Sequence, residues 1–154
     1  MSMHIDGKKI TAMYWGGRKI REAWYGGERV FSGKPVEVMP PISDSGWGAR
    51  DWLRSKLEDY GENYQTVTEI PFEIDSSHAT TMREMFRDCS SLTTVPDMDT
   101  SQVTDMTDMF RNCSSLTDGN VRLIGKRTGV ITARMIQDSG LTREPFYDSS
   151  GQPI

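Results

Sequence analysis

The sequence predicts an α+β chain, with a short N-terminal antiparallel β-meander followed by a small capped solenoid of one strand and one short helix per coil. Two repeats carry that expectation. The string MREMFRDCSSLT at 82–93 returns as MTDMFRNCSSLT at 106–117, so Met82, Met85, Phe86, Cys89 and Leu92 recur as Met106, Met109, Phe110, Cys113 and Leu116, each 24 residues on. A unit of that length cannot bury its apolar face alone and must lie against a neighbour. The other repeat has a period of ten: Gly7, Gly17 and Gly27 each precede two charged residues and then Ile10, Ile20 or Val30.

In this second repeat, Tyr14-Trp15 and Trp24-Tyr25 come just before Gly16-Gly17 and Gly26-Gly27. Paired glycines between β-prone runs signal two-residue hairpins, because type I′ turns need positive φ at both positions. Three strands follow, near 8–14, 18–25 and 28–32, with Met13 opposite Ile20 and Ala23 opposite Val30. A sheet this small is marginal alone. The module, residues 1–33, is read as a docking element.

Residues 34–46 read as a linker, because Pro35, Pro40 and Pro41 and the Ser/Asp/Gly cluster break any regular pattern. A helix is expected from about Trp47 to Tyr60, within a capping segment at 47–61. Asp44 or Ser45 would cap its start, and Gly61 would stop it. Ala49, Leu53, Leu57, Tyr60 and Tyr64 form its apolar stripe.

The repeats occupy 62–142. Val67, Ile70 and Pro71 match Leu92, Val95 and Pro96 at a spacing of 25, whereas Asp75, Ser77 and Ala79 match Asp99, Ser101 and Val103 at 24. Met82, Met85, Phe86 and Cys89 fall at i, i+3, i+4 and i+7, the pattern of one face of a two-turn helix. Thr81 and Glu84 offer it a capping box. Leu92 and Val95 then read as a strand that Pro96 ends. Ile131, Met135 and Leu141 stand 25 residues after Met106, Phe110 and Leu116, which places Asp138 where the cysteine was. This reads as a degenerate last coil, and 143–154 as a polar tail.

Composition narrows the function. Hydrophobic residues make up 36% of 154, which suits a thin core. A net charge of −4 with no run of Lys/Arg argues against nucleic acid as a partner. No stretch of 18 apolar residues exists to span a membrane, and the first residues lack the charged and apolar regions of a secretion signal. Cys89 and Cys113 hold equivalent positions, so a bridge is conceivable, although two buried free thiols fit their small apolar role better.

The phrase from Met82 to Thr104 resembles the BspA-like leucine-rich repeats of bacterial surface proteins, over residues 62–142. That resemblance implies a leucine-rich-repeat solenoid used for attachment to proteins or host surfaces, without catalytic residues. The Gly-Gly module resembles short segments of minor tail proteins in phages of actinobacteria. Together they imply a non-enzymatic virion structural protein, assembled in the bacterial cytoplasm. Its partners would be other virion subunits or itself, and a host cell-surface protein or glycan. A small bacterial cell-surface adhesin of the BspA type is the alternative.

The candidate partner-binding residues are Tyr14, Trp15, Trp24 and Tyr25, since exposed aromatics combine large contact area with a polar handle. The competing reading packs them on the same chain. Asp97, Asp99, Ser101, Val103, Asp105 and Asp108 fall at EF-hand positions 1, 3, 5, 7, 9 and 12. Glu73, Asp75, Ser77, Ala79, Thr81 and Glu84 repeat that spacing. Gln102 and His78 stand where the sharp turn needs Gly, so these groups are read as turn and cap residues, with no metal. No zinc-ligand pair, nucleophile elbow, phosphate loop or dinucleotide fingerprint occurs, so neither a catalytic residue nor a cofactor is expected.

Overall fold

The computed structural model describes residues 34–42 and 48–154 in full and, before them, the backbone of six short strands. These are β1 (His4–Ile5), β2 (Lys8–Lys9), β3 (Met13–Trp15), β4 (Arg18–Ile20), β5 (Ala23–Tyr25) and β6 (Glu28–Phe31). Met13 pairs with Ile20, as the glycine spacing requires. Trp24 pairs with Arg29 and Tyr25 with Glu28, but a register shift then sets Ala23 against Phe31 rather than Val30.

The expected meander does not form. β1–β2 and β5–β6 are separate two-stranded ladders, and the other neighbour of β4 is β7 (Val36–Val38), through Lys19 and Val36. β7 lies inside the stretch read as a linker. The β-branched Val36 and Val38 favour an extended strand there despite the flanking prolines. β7 pairs in parallel with β8 (Glu73–Asp75), giving the order β3-β4-β7-β8. Glu37 is buried, and its carboxylate is met by the Tyr60 hydroxyl at 2.7 Å and Lys56 at 3.3 Å.

One helix occurs among the described residues, α1 (Ala49–Asp59). It starts at Gly48 without a side-chain cap, and Gly61 takes the positive φ (76°) that ends it. Ala49, Leu53 and Leu57 are buried as expected, and Trp52 joins them. Asp44 and Ser45 lie outside the described residues.

The strand-plus-helix solenoid is overturned by the repeats themselves. No helix forms over 82–89 or 106–113; both are runs of turns. Met85, Arg87 and Cys89 donate their amides three residues back, to Met82, Glu84 and Phe86. The alternate amides, of Met82, Glu84, Phe86 and Asp88, cross instead to the carbonyls of Asp105, Thr107, Met109 and Arg111 at 2.9–3.0 Å. A helix over 82–89 would need the Phe86 and Asp88 amides for the carbonyls four residues back, at Met82 and Glu84. Glu84 and Asp88 also adopt left-handed φ (57° and 66°), which a right-handed helix excludes. The i, i+3, i+4, i+7 spacing thus buries one face of a turn ribbon. Met82, Met85, Phe86, Cys89 and Leu92, with their second-copy equivalents, are all 0% exposed.

The short strands lie elsewhere in the unit than Leu92 and Val95. β9 (Met98–Asp99) and β10 (Leu123–Ile124) pair in parallel, and β11 (Phe146–Tyr147) adds beyond β10. Phe146 and Tyr147 are buried, so the supposed polar tail supplies an edge strand.

A third copy follows, shifted by one residue from the sequence alignment. Met106, Asp108, Phe110 and Asn112 donate to Ile131, Ala133, Met135 and Gln137. The bridges Thr81–Asp105 and Asp105–Ile131 set spacings of 24 and then 26. Left-handed φ at Asp108 and Asn112 recurs at Arg134 and Asp138, again 26 on. Met135 therefore replaces Met109, Ser139 replaces Cys113, and Ile131 is 53% exposed instead of filling the core.

Tyr64 closes the first copy. Its hydroxyl reaches the carbonyls of Met85 (3.0 Å) and Arg87 (2.9 Å), the counterparts of the Met109 and Arg111 carbonyls that accept amides from copy one. A side chain thus stands in for the missing preceding copy. Tyr64→Phe removes the one proton that these two carbonyls share and should cost about 1–3 kcal/mol, read by urea denaturation. A loss within error would remove Tyr64 from this role.

Charged groups tie the same edge together. Asp88 accepts from Arg50 of α1 (3.2 Å) and from the Asn112 side-chain amide (2.6 Å). Buried Asp108 takes two bonds from Arg134 (3.0 and 2.8 Å), and these hold its carboxyl below the ordinary range.

Both thiols are free and buried. Cys89 donates to the Tyr64 carbonyl (3.3 Å) and Cys113 to the Phe86 carbonyl (2.9 Å). Burial pushes the Cys89 thiol up to about 11, and Cys113 in the same direction. An unfolded thiol ionises near pH ~8.5. The unfolded chain therefore releases protons first as pH rises, so this contribution to stability is full below that pH and is lost as pH climbs through the folded values. The melting temperature should fall between about pH 8.5 and 11, and Cys89→Ala/Cys113→Ala should flatten that fall relative to its own neutral value.

Candidate binding cleft

A single inserted residue marks the segment that lines a cleft beside β7. Between Ile70 and Asp75 the first copy has one residue more than the second has between Val95 and Asp99, which is why the two spacings differ by one. The segment bulges toward α1: Phe72 is fully buried, its ring 6.4 Å edge-on to Trp52 and 5.0 Å from Tyr60. β8 follows it and takes β7 as its partner, with Glu73 donating to the Pro35 carbonyl and Met39 to that of Asp75. Between the second and third copies the same region is shut, because Val95 and Met98 donate to the Asn120 and Arg122 carbonyls.

The cleft so formed measures about 700 Å³. Val36, Ile70, Ile74, Val95 and Pro96 give it apolar walls, and its charged lining is Lys34, Glu69, Glu73, Asp75 and Asp97. Lys34 is ion-paired to Glu69 and donates to the Ile70 carbonyl (2.9 Å), while Arg122 lies 3.5 Å from Asp97. The hydroxyl and amide of Ser77 hold the Asp75 carboxyl below the usual range, so it is charged at neutral pH. With Arg122 counted, four carboxylates stand against two cations, and this net acidity favours a cationic segment with an apolar stem.

The sequence-derived site residues are not brought together by any described contact. Tyr14 and Trp15 lie on β3, Trp24 and Tyr25 on β5, in different sheets, and their side chains lie outside the described residues. The change of spacing from 25 to 24 is the cleft's signal in the sequence.

Residues at the calcium-loop spacing are engaged in turns or pairs. Asp99 accepts from the Ser101 amide (2.9 Å), Asp105 from that of Thr107 (2.8 Å), and Asp108 from Arg134; Val103 and Ala79 are fully buried. Among the described residues no three His, Cys, Asp or Glu side chains are placed to hold a metal ion. Ser77 touches both Asp75 and His78 (3.1 Å), but it gives its single proton to Asp75 in an exposed turn. No described helix is long and apolar enough to cross a membrane.

These features define a small repeat protein whose copies pair edge to edge. The chain belongs to the family described as Mycoplasma protein of unknown function, DUF285, whose model matches residues 50–135. That span takes in α1, both close copies and the start of the third, and excludes the Gly-Gly module. No curated protein and no solved structure matches the chain.

Proposed function

We propose that this is a non-enzymatic binding protein of a phage or prophage particle, mounted by its Gly-Gly module and presenting the repeats to another protein or to the host surface. The observation that carries this reading is the division of the chain. The family match covers α1 and the repeats but not the preceding residues, which carry Tyr14, Trp15, Trp24 and Tyr25 on paired hairpin strands. Such residues suit docking, where rigid aromatic anchors supply most of the binding energy. The acidic cleft suits a basic, extended segment of the partner.

The family match also favours a second reading, a small bacterial cell-surface protein of the BspA-like kind, with the repeats again as the binding part. Proteomics of purified particles against shaved cell surfaces separates the two. In the first case Trp15→Ala/Trp24→Ala should remove the protein from particles while its melting temperature holds. Particles that retain the double variant at the native level would reject the docking role.

A further inference from the structure

Along the turn ribbons the alternate crossing amides run one way, although at the ends of the third copy Ile131 and Gly140 donate back to the Thr104 and Cys113 carbonyls. Copy one gives amides to carbonyls of copy two, and copy two gives amides to carbonyls of copy three. Every described peptide bond is trans, so a carbonyl pointing toward one neighbour sends the next residue's N–H toward the other. In copy three the carbonyls of Ile131, Ala133, Met135 and Gln137 face copy two. The amides of Thr132, Arg134, Ile136 and Asp138 must therefore face outward, and no described acceptor meets them. The aligned peptides give this rim positive character, as at a helix N-terminus.

We propose that this donor rim binds an extended segment of a partner protein, whose carbonyls at alternate residues continue the ladder in parallel. It deepens the binding role proposed above by naming the surface and its chemistry. Three observations select the occupant. Two copies meeting rim to rim would set donors against donors. Head-to-tail addition of a second copy is blocked, because Tyr64 already occupies the Met85 and Arg87 carbonyls. Ile131, 53% exposed beside the rim, adds an apolar contact for a carbonyl-bearing strand. Unpaired edges of this kind are ready templates for strand addition.

The test uses a blocked peptide of residues 105–117, whose carbonyl row already fits a donor edge in the fold. Added in excess to the ¹⁵N-labelled full chain, it should slow amide exchange at Arg134, Ile136 and Asp138 about tenfold or more. Ile131→Lys should keep the melting temperature and weaken that protection. Trp15→Ala/Trp24→Ala should leave it intact, so failure of the aromatic docking and failure of the rim are distinguishable. Unchanged exchange at millimolar peptide would overturn the proposal. So would protection of these amides in the peptide-free chain together with sedimentation as a dimer.

Discussion

Phe110→Ala should cost about 3–5 kcal/mol, the usual loss for emptying an aromatic site in a packed core. Phe110 is fully buried, and its ring stacks on that of Phe86 at 5.4 Å and 10°. The same residue donates its amide to Met135 and accepts Cys113 three residues on, so collapse of the site is resisted by the backbone on both sides. A domain of this size has about 5–15 kcal/mol in total, so the variant should be partly unfolded near physiological temperature. Urea denaturation by circular dichroism measures it. Phe110→Leu should recover much of the loss, and a cost below about 1 kcal/mol for the alanine would show that the rings do not join the copies.

Gly140→Ala should be nearly as damaging, for an opposite reason. A Cβ there would stand 1.9 Å from the Leu116 carbonyl oxygen and 2.9 Å from that of Ser114. Both are backbone atoms and cannot rotate aside. Gly140 also donates to the Cys113 carbonyl at 3.1 Å, and the ribbon would have to part there. Forced overpacking costs about 1–3 kcal/mol and more where backbone must move. Gly48→Ala is the control, since nothing lies within 4 Å of its added Cβ. Equal midpoints for the two variants would contradict this account of the third copy.

Burial was the most legible property in the sequence. The repeated Met, Phe, Cys and Leu identified the core, because apolar periodicity reports which face is hidden. The same spacing misnamed the backbone, since a helix and this turn ribbon bury i, i+3, i+4 and i+7 alike. What separates them is where Phe86 and Asp88 send their amides, and that depends on a neighbour 23 residues away. Left-handed Glu84 gave no warning either; aspartate and asparagine at 88, 108 and 112 were a faint one. Gly-Gly spacing fixed the hairpin register near each turn, but not that β4 would choose β7 over β5. The third copy was misaligned by one because Ile131 and Met135 looked like core at a spacing of 25, and only Met135 is buried.

The cleft illustrates how a single residue redirects a fold. Phe72 packs against Trp52 and Tyr60, and the segment after it pairs with β7 as β8, which leaves a groove beside the next copy. Deleting one residue there should shut the groove, an effect no composition or motif would suggest.

Native-state amide exchange of the full chain tests the one-way run of alternate amides along the turn ribbons. The account predicts that Glu84, Phe86, Asp88, Asp108, Phe110 and Asn112 exchange only at the rate of global unfolding, while Arg134, Ile136 and Asp138 exchange orders of magnitude faster. Equal protection across all three copies, or protection in the continuous i to i−4 pattern of a helix, would contradict it.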